Sequence, residues 1–276
     1  MRTIQTGSLA LLLTLSGTLA MNAAVVDLTT VDSSGTLNGA IYLQSHIAPS
    51  GSGVLDPFVR INPGGGQTFE QGYNTDARPL QYDENTSATF THALQLSTVP
   101  IVSCAVIDHG CVAGTNYREF RLDINQTNAD PLLSLDRVIL FLRSAGNLTG
   151  GAPAAGSSQG ASSAVFNSGT LVYDSGFGNR VDLNFTLEPG SGGGDMFLYI
   201  PDSLFAGPNS FVYLYSEFGG NGGEPPFQAN DGFEEWAVRS ATTPPVPEPK
   251  HILLTAAGAL ALFLTDYRRR RRNKVA

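Results

Sequence analysis

Tyr117-Arg118-Glu119-Phe120-Arg121-Leu122-Asp123 reads as a β-strand, because its side chains change character with a period of two and its apolar members are strand formers. Comparable runs lie on either side of it. Towards the N-terminus are 41–47 (Ile-Tyr-Leu-Gln-Ser-His-Ile) and 88–96 (Ala-Thr-Phe-Thr-His-Ala-Leu-Gln-Leu). Towards the C-terminus are 138–142, 181–187, 196–200 and 211–215. Turn-forming clusters at 62–66, 190–194 and 218–223 separate them. There is no amphipathic-helix pattern and no fixed-period repeat, which argues against solenoids and propellers. The expectation is an all-β domain over 25–243, an antiparallel β-sandwich or jelly roll. The Gly/Ala/Ser stretch 149–163 reads as a long surface loop within it.

Composition supports a folded domain. Of 276 residues, 42% are hydrophobic and 14% charged, and 31 glycines with 16 prolines stay below the level of unstructured low complexity. The net charge of −8 removes the basic face that nucleic-acid binding needs, so no nucleic-acid partner is expected.

The two ends differ from the middle. Met1-Arg2-Thr3, the apolar run 9–15, and the small residues of 18–20 and 22–24 read as a signal peptide over 1–24, cleaved after Ala20 or Ala24. At the other end, 244–276, the prolines of Pro244-Pro245-Val246-Pro247-Glu248-Pro249 hold the chain extended. An apolar run follows from Ile252 to Leu264, and a transmembrane helix is expected over 251–267. Its 16 residues from Ile252 to Tyr267 span about 24 Å. Lys250 and Arg268 can snorkel to the two interfaces, and Arg268, Arg269, Arg270, Arg271 and Arg272 fix this end in the cytoplasm.

Val246, Pro247, Glu248 and Pro249, the short apolar helix and the arginine cluster together resemble the PEP-CTERM sorting signal of exported bacterial proteins. That resemblance implies recognition at Glu248 and its flanking prolines by exosortase, a membrane-embedded cysteine protease-transpeptidase. It also implies export across the inner membrane, anchoring before processing, and then a place at the cell surface or outside the cell. The stretches 120–126, 133–136, 194–196 and 231–236 resemble uncharacterised exported proteins with the same tail, which brings no activity with it. The family context is that of exopolysaccharide-producing bacteria.

Once Arg2 and the basic tail are set aside, residues 25–247 hold eight basic residues, all arginine, against 22 acidic ones, a net charge of −14. Such a domain attracts divalent cations and repels anionic polymers.

Few residues suggest chemistry. Cys104 and Cys111, the only cysteines, read as a disulfide in an oxidising compartment, in preference to a metal site shared with Asp108 and His109. His46 and His92 fall in strand patterns and read as structural, and His251 belongs to the sorting helix. Asp123, Asn125, Thr127 and Asp130 alternate oxygen side chains as calcium loops do, with Asp136 nearby, although glycine and glutamate are missing at the EF-hand positions. Gly156-Ser157-Ser158-Gln159-Gly160 matches a nucleophile elbow only in letters, because it sits in a loop of small residues. Glu234 and Glu235 point to opposite faces of a strand, so they cannot flank one glycosidic bond. Trp236 reads as core, with a sugar-stacking surface alongside Tyr213 and Tyr215 as the other reading. The N-x-S/T triplets at Asn85, Asn125, Asn147 and Asn184 matter only in a eukaryotic secretory pathway. No catalytic set emerges. The expectation is a non-enzymatic surface or extracellular-matrix protein with no cofactor; a calcium-dependent, exopolysaccharide-binding module is the alternative.

Overall fold

The computed structural model describes residues 23–45, 55–62, 64, 66–107, 109–149, 169–190, 193–220, 226–230 and 232–240. In chain order its strands are β1 (Val25–Asp27), β2 (Ser34–Leu37), β3 (Ala40–Gln44), β4 (Leu55–Ile61), β5 (Glu70–Tyr73), β6 (Leu94–Gln95) and β7 (Ile101–Ser103). They continue with β8 (Asn116–Asp123), β9 (Leu132–Arg143), β10 (Thr170–Asp174), β11 (Arg180–Asn184), β12 (Met196–Pro201), β13 (Phe211–Phe218) and β14 (Glu234–Arg239). Short 3-10 turns cover Leu96–Thr98, Phe185–Leu187 and Asp202–Phe205.

The described residues are mostly β, in two seven-stranded sheets. The first runs β1-β11-β9-β13-β5. Its longest strand, β9, pairs with β11 along its first part and β10 along its last, and β6 joins β13. The second runs β2-β3-β12-β8-β14-β4, with β7 on β8. The pairings are antiparallel except for β1 on β11, where the chain enters at an edge and then passes to the other sheet at β2.

Alternation along each strand builds the core. β9 sends Leu133, Leu135, Val138, Leu140 and Leu142 inward, and these meet Phe120 and Leu122 of β8, Leu198 of β12 and Trp236 of β14 in one shared cluster. The odd step between Leu135 and Val138 is a bulge at Asp136, opposite Glu217/Phe218. The outer faces are also covered. Tyr73, Ile139, Phe141, Tyr213 and Tyr215 pack on the back of the first sheet. Ile41, Val102, Ile107, Tyr117 and Tyr199 pack on the back of the second.

Two expectations are corrected. Of 88–96, only Leu94 and Gln95 are strand. Asn85 Oδ1 accepts from Ser87 N, and Ser87 O accepts from the main-chain N–H groups of Phe90 and Thr91, so local bonds turn the chain before a ladder can form. The run 181–187 ends as strand at Asn184, whose Oδ1 accepts from Thr186 N and Thr186 Oγ1 and starts a 3-10 turn. The core reading of Trp236 holds, and with Tyr213 and Tyr215 it forms no sugar-stacking surface. All three are buried, and Trp236 lies in the central core while the tyrosines lie in the cluster behind the first sheet.

Among the described residues no helix is long and apolar enough to cross a membrane. Residues 1–22 of the expected signal peptide (1–24), residues 150–163 of the expected loop, and the expected sorting signal at 244–276 lie outside them.

Candidate functional site

The excess of acid over base must be accommodated somewhere, and six of the eight arginines are spent early. Arg60 pairs with Glu235 at 2.5 Å, Arg118 with Asp202 at 2.6 Å, Arg137 with Asp174 at 2.7 Å and Arg180 with Asp182 at 2.8 Å. Arg239 and Arg121 share Glu119 at 2.8 and 3.3 Å. Arginine suits such half-buried pairs, because its planar fork keeps its charge and is weakly hydrated. Arg60 is also held between the rings of Phe90 and Phe233, at 3.5 and 3.9 Å from their centroids.

Glu70, Asp195 and Glu234 are buried with no ion pair among the described residues, and they lie where three segments meet. There the segment before β5, the loop after β8 and the chain leading into β14 come together. Asn230 ties them: its N donates to Gln126 Oε1 (3.1 Å), its Oδ1 accepts from Thr127 N (2.9 Å), and its Nδ2 donates to Asp130 O (2.6 Å). Ala229 N donates to Thr68 O at 3.0 Å, closing the third side. These residues wall a cleft of about 390 Å³ lined by Gln67, Thr68, Asp130, Pro226, Gln228 and Asn230. Two glycines are required here. A Cβ on Gly219 (φ +74°) would collide with Thr68 O and Ala229 N, and one on Gly232 (φ +74°) would lie 2.5 Å from Asn125 O.

Beneath the cleft, Glu70 of β5 and Glu234 of β14 face each other, both 0% exposed. Their carboxyls stand close together and interact, and Gln126 Nε2 donates to Glu234 Oε1 at 2.6 Å. Burial raises both acids. Glu70 is pushed up to about 7, and Glu234 is held well above the usual carboxyl range by burial and then by Glu70's charge. Nearby, Asp195 Oδ2 accepts from Ile124 N at 2.8 Å, and burial, followed by the charges of Asp123 and Glu188, raises it well above its ordinary value. Such acids are protonated where isolated carboxylates would be charged. General acid–base work would also require contact with a substrate, and Glu70 and Glu234 are sealed.

The residues singled out in the sequence fare unequally. Cys104 and Cys111 are disulfide-bonded with Cα atoms 5.5 Å apart, and their loop caps the cluster behind the second sheet. His109 sits in that loop; Asp108, His46 and His251 lie outside the described residues. His92 Nδ1 and Nε2 lie 2.9 Å from Ala93 O and Pro57 O. Asp123 is buried in β8, whereas Asn125, Thr127 and Asp130 line up along the loop that Asn230 and Gln126 tie down. Among the described residues no three His, Cys, Asp or Glu side chains stand together in a way that could hold a metal ion. Glu234 and Glu235 do point to opposite faces, inward to Glu70 and outward to Arg60. The motif at 156–160, Val246 to Pro249 and Arg268 to Arg272 lie outside the described residues.

Glu70 was not visible in sequence, because Glu-Gln-Gly-Tyr shows no apolar alternation. The available signal was Glu234, which shares its strand face with Trp236 and so had to be an inward acid in need of a partner. Compared with known families, with curated proteins and with solved structures, the chain matches none.

Proposed function

We propose that the chain is a non-enzymatic exported protein: a β-sandwich-like domain between a signal peptide and a transmembrane sorting helix. It is delivered to the cell surface or extracellular matrix. Exosortase-type processing at Val246, Pro247, Glu248 and Pro249 releases it from the helix that the five arginines hold in place. The observation that carries this reading is the order of the tail: an extended Pro-Glu-Pro, a short apolar run, then an uninterrupted basic block. Two further features support it. The Cys104–Cys111 bridge suits an oxidising compartment, and six of the domain's eight arginines are engaged in ion pairs, leaving an acidic domain fit for the outside of a cell.

Deleting residues 250–276 tests the tail. The expected outcome is protein that leaves the membrane fraction and appears in the medium. Retention of the truncated chain in the cytoplasm would overturn the reading.

One observation favours the second reading, a calcium-dependent exopolysaccharide-binding module. The cleft presents Gln67, Thr68, Asp130, Gln228 and Asn230, the amide, hydroxyl and carboxylate groups that hydrogen-bond sugar hydroxyls. Binding to a glycan array that disappears with chelator supports it. An array without binding in the presence of calcium contradicts it.

A further inference from the structure

Glu70 and Glu234 belong to opposite sheets, β5 in the first and β14 in the second, so their contact joins the two layers beneath the cleft. Among the described residues, no N–H or O–H donor reaches either oxygen of Glu70 or Oε2 of Glu234, although neither residue touches solvent. A second ionised carboxylate in such a place is strongly disfavoured, and a proton between the two removes one charge while supplying the missing donor.

Among the described residues the surroundings offer no other neutralising group. On the ladders, Glu70 stands opposite Phe218 of β13 and Glu234 opposite Ile61 of β4. Gln126 and the Asn125 main-chain N–H approach from the loop after β8 and are neutral. Asp83 faces Glu70 with the same sign. Glu235, next along β14, turns to the other face and Arg60, and among the described residues no arginine pairs with either carboxyl.

The pair is also wired to the cleft. Glu234 Oε1 accepts from Gln126 Nε2, Gln126 Oε1 accepts from Asn230 N, and the Asn230 side chain holds Thr127 N and Asp130 O. Asp130 and Asn230 are cleft walls.

We propose that Glu70 and Glu234 form a proton-operated latch between the sheets, closed by a proton held between the two carboxyls. Loss of that proton moves Gln126 and, through Asn230, the wall of the cleft. The ligand of this site is therefore a proton, and its effect is to couple external pH to cleft shape.

The test uses the full chain in detergent micelles. Infrared spectra in deuterated buffer are expected to show a protonated-carboxyl carbonyl band at pH 6 that fades towards pH 9 and is diminished in Glu234→Gln. The Asn230 amide resonance is expected to titrate with the same midpoint in the wild type and to stay still in the variant. Between about pH 5 and 7, the wild-type folding constant should fall by about tenfold per unit more than that of Glu234→Gln, which is the linkage of one proton. Should Glu234→Gln not fold, Glu70→Gln and the wild-type spectra carry the test. Absence of the carbonyl band at pH 6, equal slopes in wild type and variant, or an Asn230 amide that ignores the transition would overturn the proposal. So would a divalent cation that co-purifies with the chain and is lost in Glu70→Gln.

Discussion

Trp236 and Gly219 illustrate how much depends on single positions. The Trp236 indole is fully buried, and its Nε1 donates to Ser216 Oγ at 3.0 Å across the two sheets. Trp236→Ala removes that packing and leaves a buried hydroxyl without its donor, so urea denaturation should show a loss of about 3–5 kcal/mol. A loss below about 1 kcal/mol would mean that the indole is not a core residue. Gly219 combines φ +74° with main-chain neighbours that leave no room for a Cβ. Gly219→Ala should cost about 2 kcal/mol or more in the same assay, whereas Gly66→Ala, with open space around its Cβ position, should cost less despite φ +83°. Equal losses at both positions would remove the steric argument at the floor of the cleft.

At the scale of elements, the disulfide loop is the clearest case of a segment held from outside the sheets. It covers Ile41, Val102, Ile107, Tyr117 and Tyr199, and Val112 N donates to Tyr117 Oη at 3.0 Å. Reduction, or Cys104→Ser with Cys111→Ser, should lower unfolding free energy by roughly 2–3 kcal/mol by freeing a short loop in the unfolded chain. An unchanged denaturation midpoint would show that the loop does not secure that cluster. The central strands were legible because their alternation is clean: 117–123, 138–142, 196–200 and 211–215 all lie within β8, β9, β12 and β13. The run 88–96 misled because Thr and His look strand-like while Asn85 and Ser87 hydrogen-bond locally. β5 is polar and four residues long, and β14 carries two adjacent acids, so neither shows an apolar rhythm. The site itself was scarcely legible. Glu70, Gln126, Asn230 and Glu234 are scattered along the chain, and only the pairing of strands from both sheets brings them together.

For the whole molecule, the decisive quantity is the surplus of acid. Burial is the leading cause that raises Glu70, Asp83, Glu84, Asp182, Asp195, Glu217, Glu234 and Glu235, whereas exposed Asp27 is lowered by its bonds to Thr29. An acid raised in the folded state binds its proton more tightly there than in the unfolded chain. Stability therefore falls as pH rises from the ordinary carboxyl range near 4 towards about 7, the reverse of a protein held by ionised carboxylates. The melting temperature should be higher at pH 5 than at pH 8, and a melting temperature that rises over this interval would contradict the burial of these acids. A domain of this kind is suited to the outside of a cell, which makes the proposed export the central claim. Its most direct test is the intact mass of the protein recovered from its native host. The proposed function predicts a chain that lacks the signal peptide and ends near Pro249, without Arg268 to Arg272. A chain that keeps residue 1 and the arginine tail would contradict it.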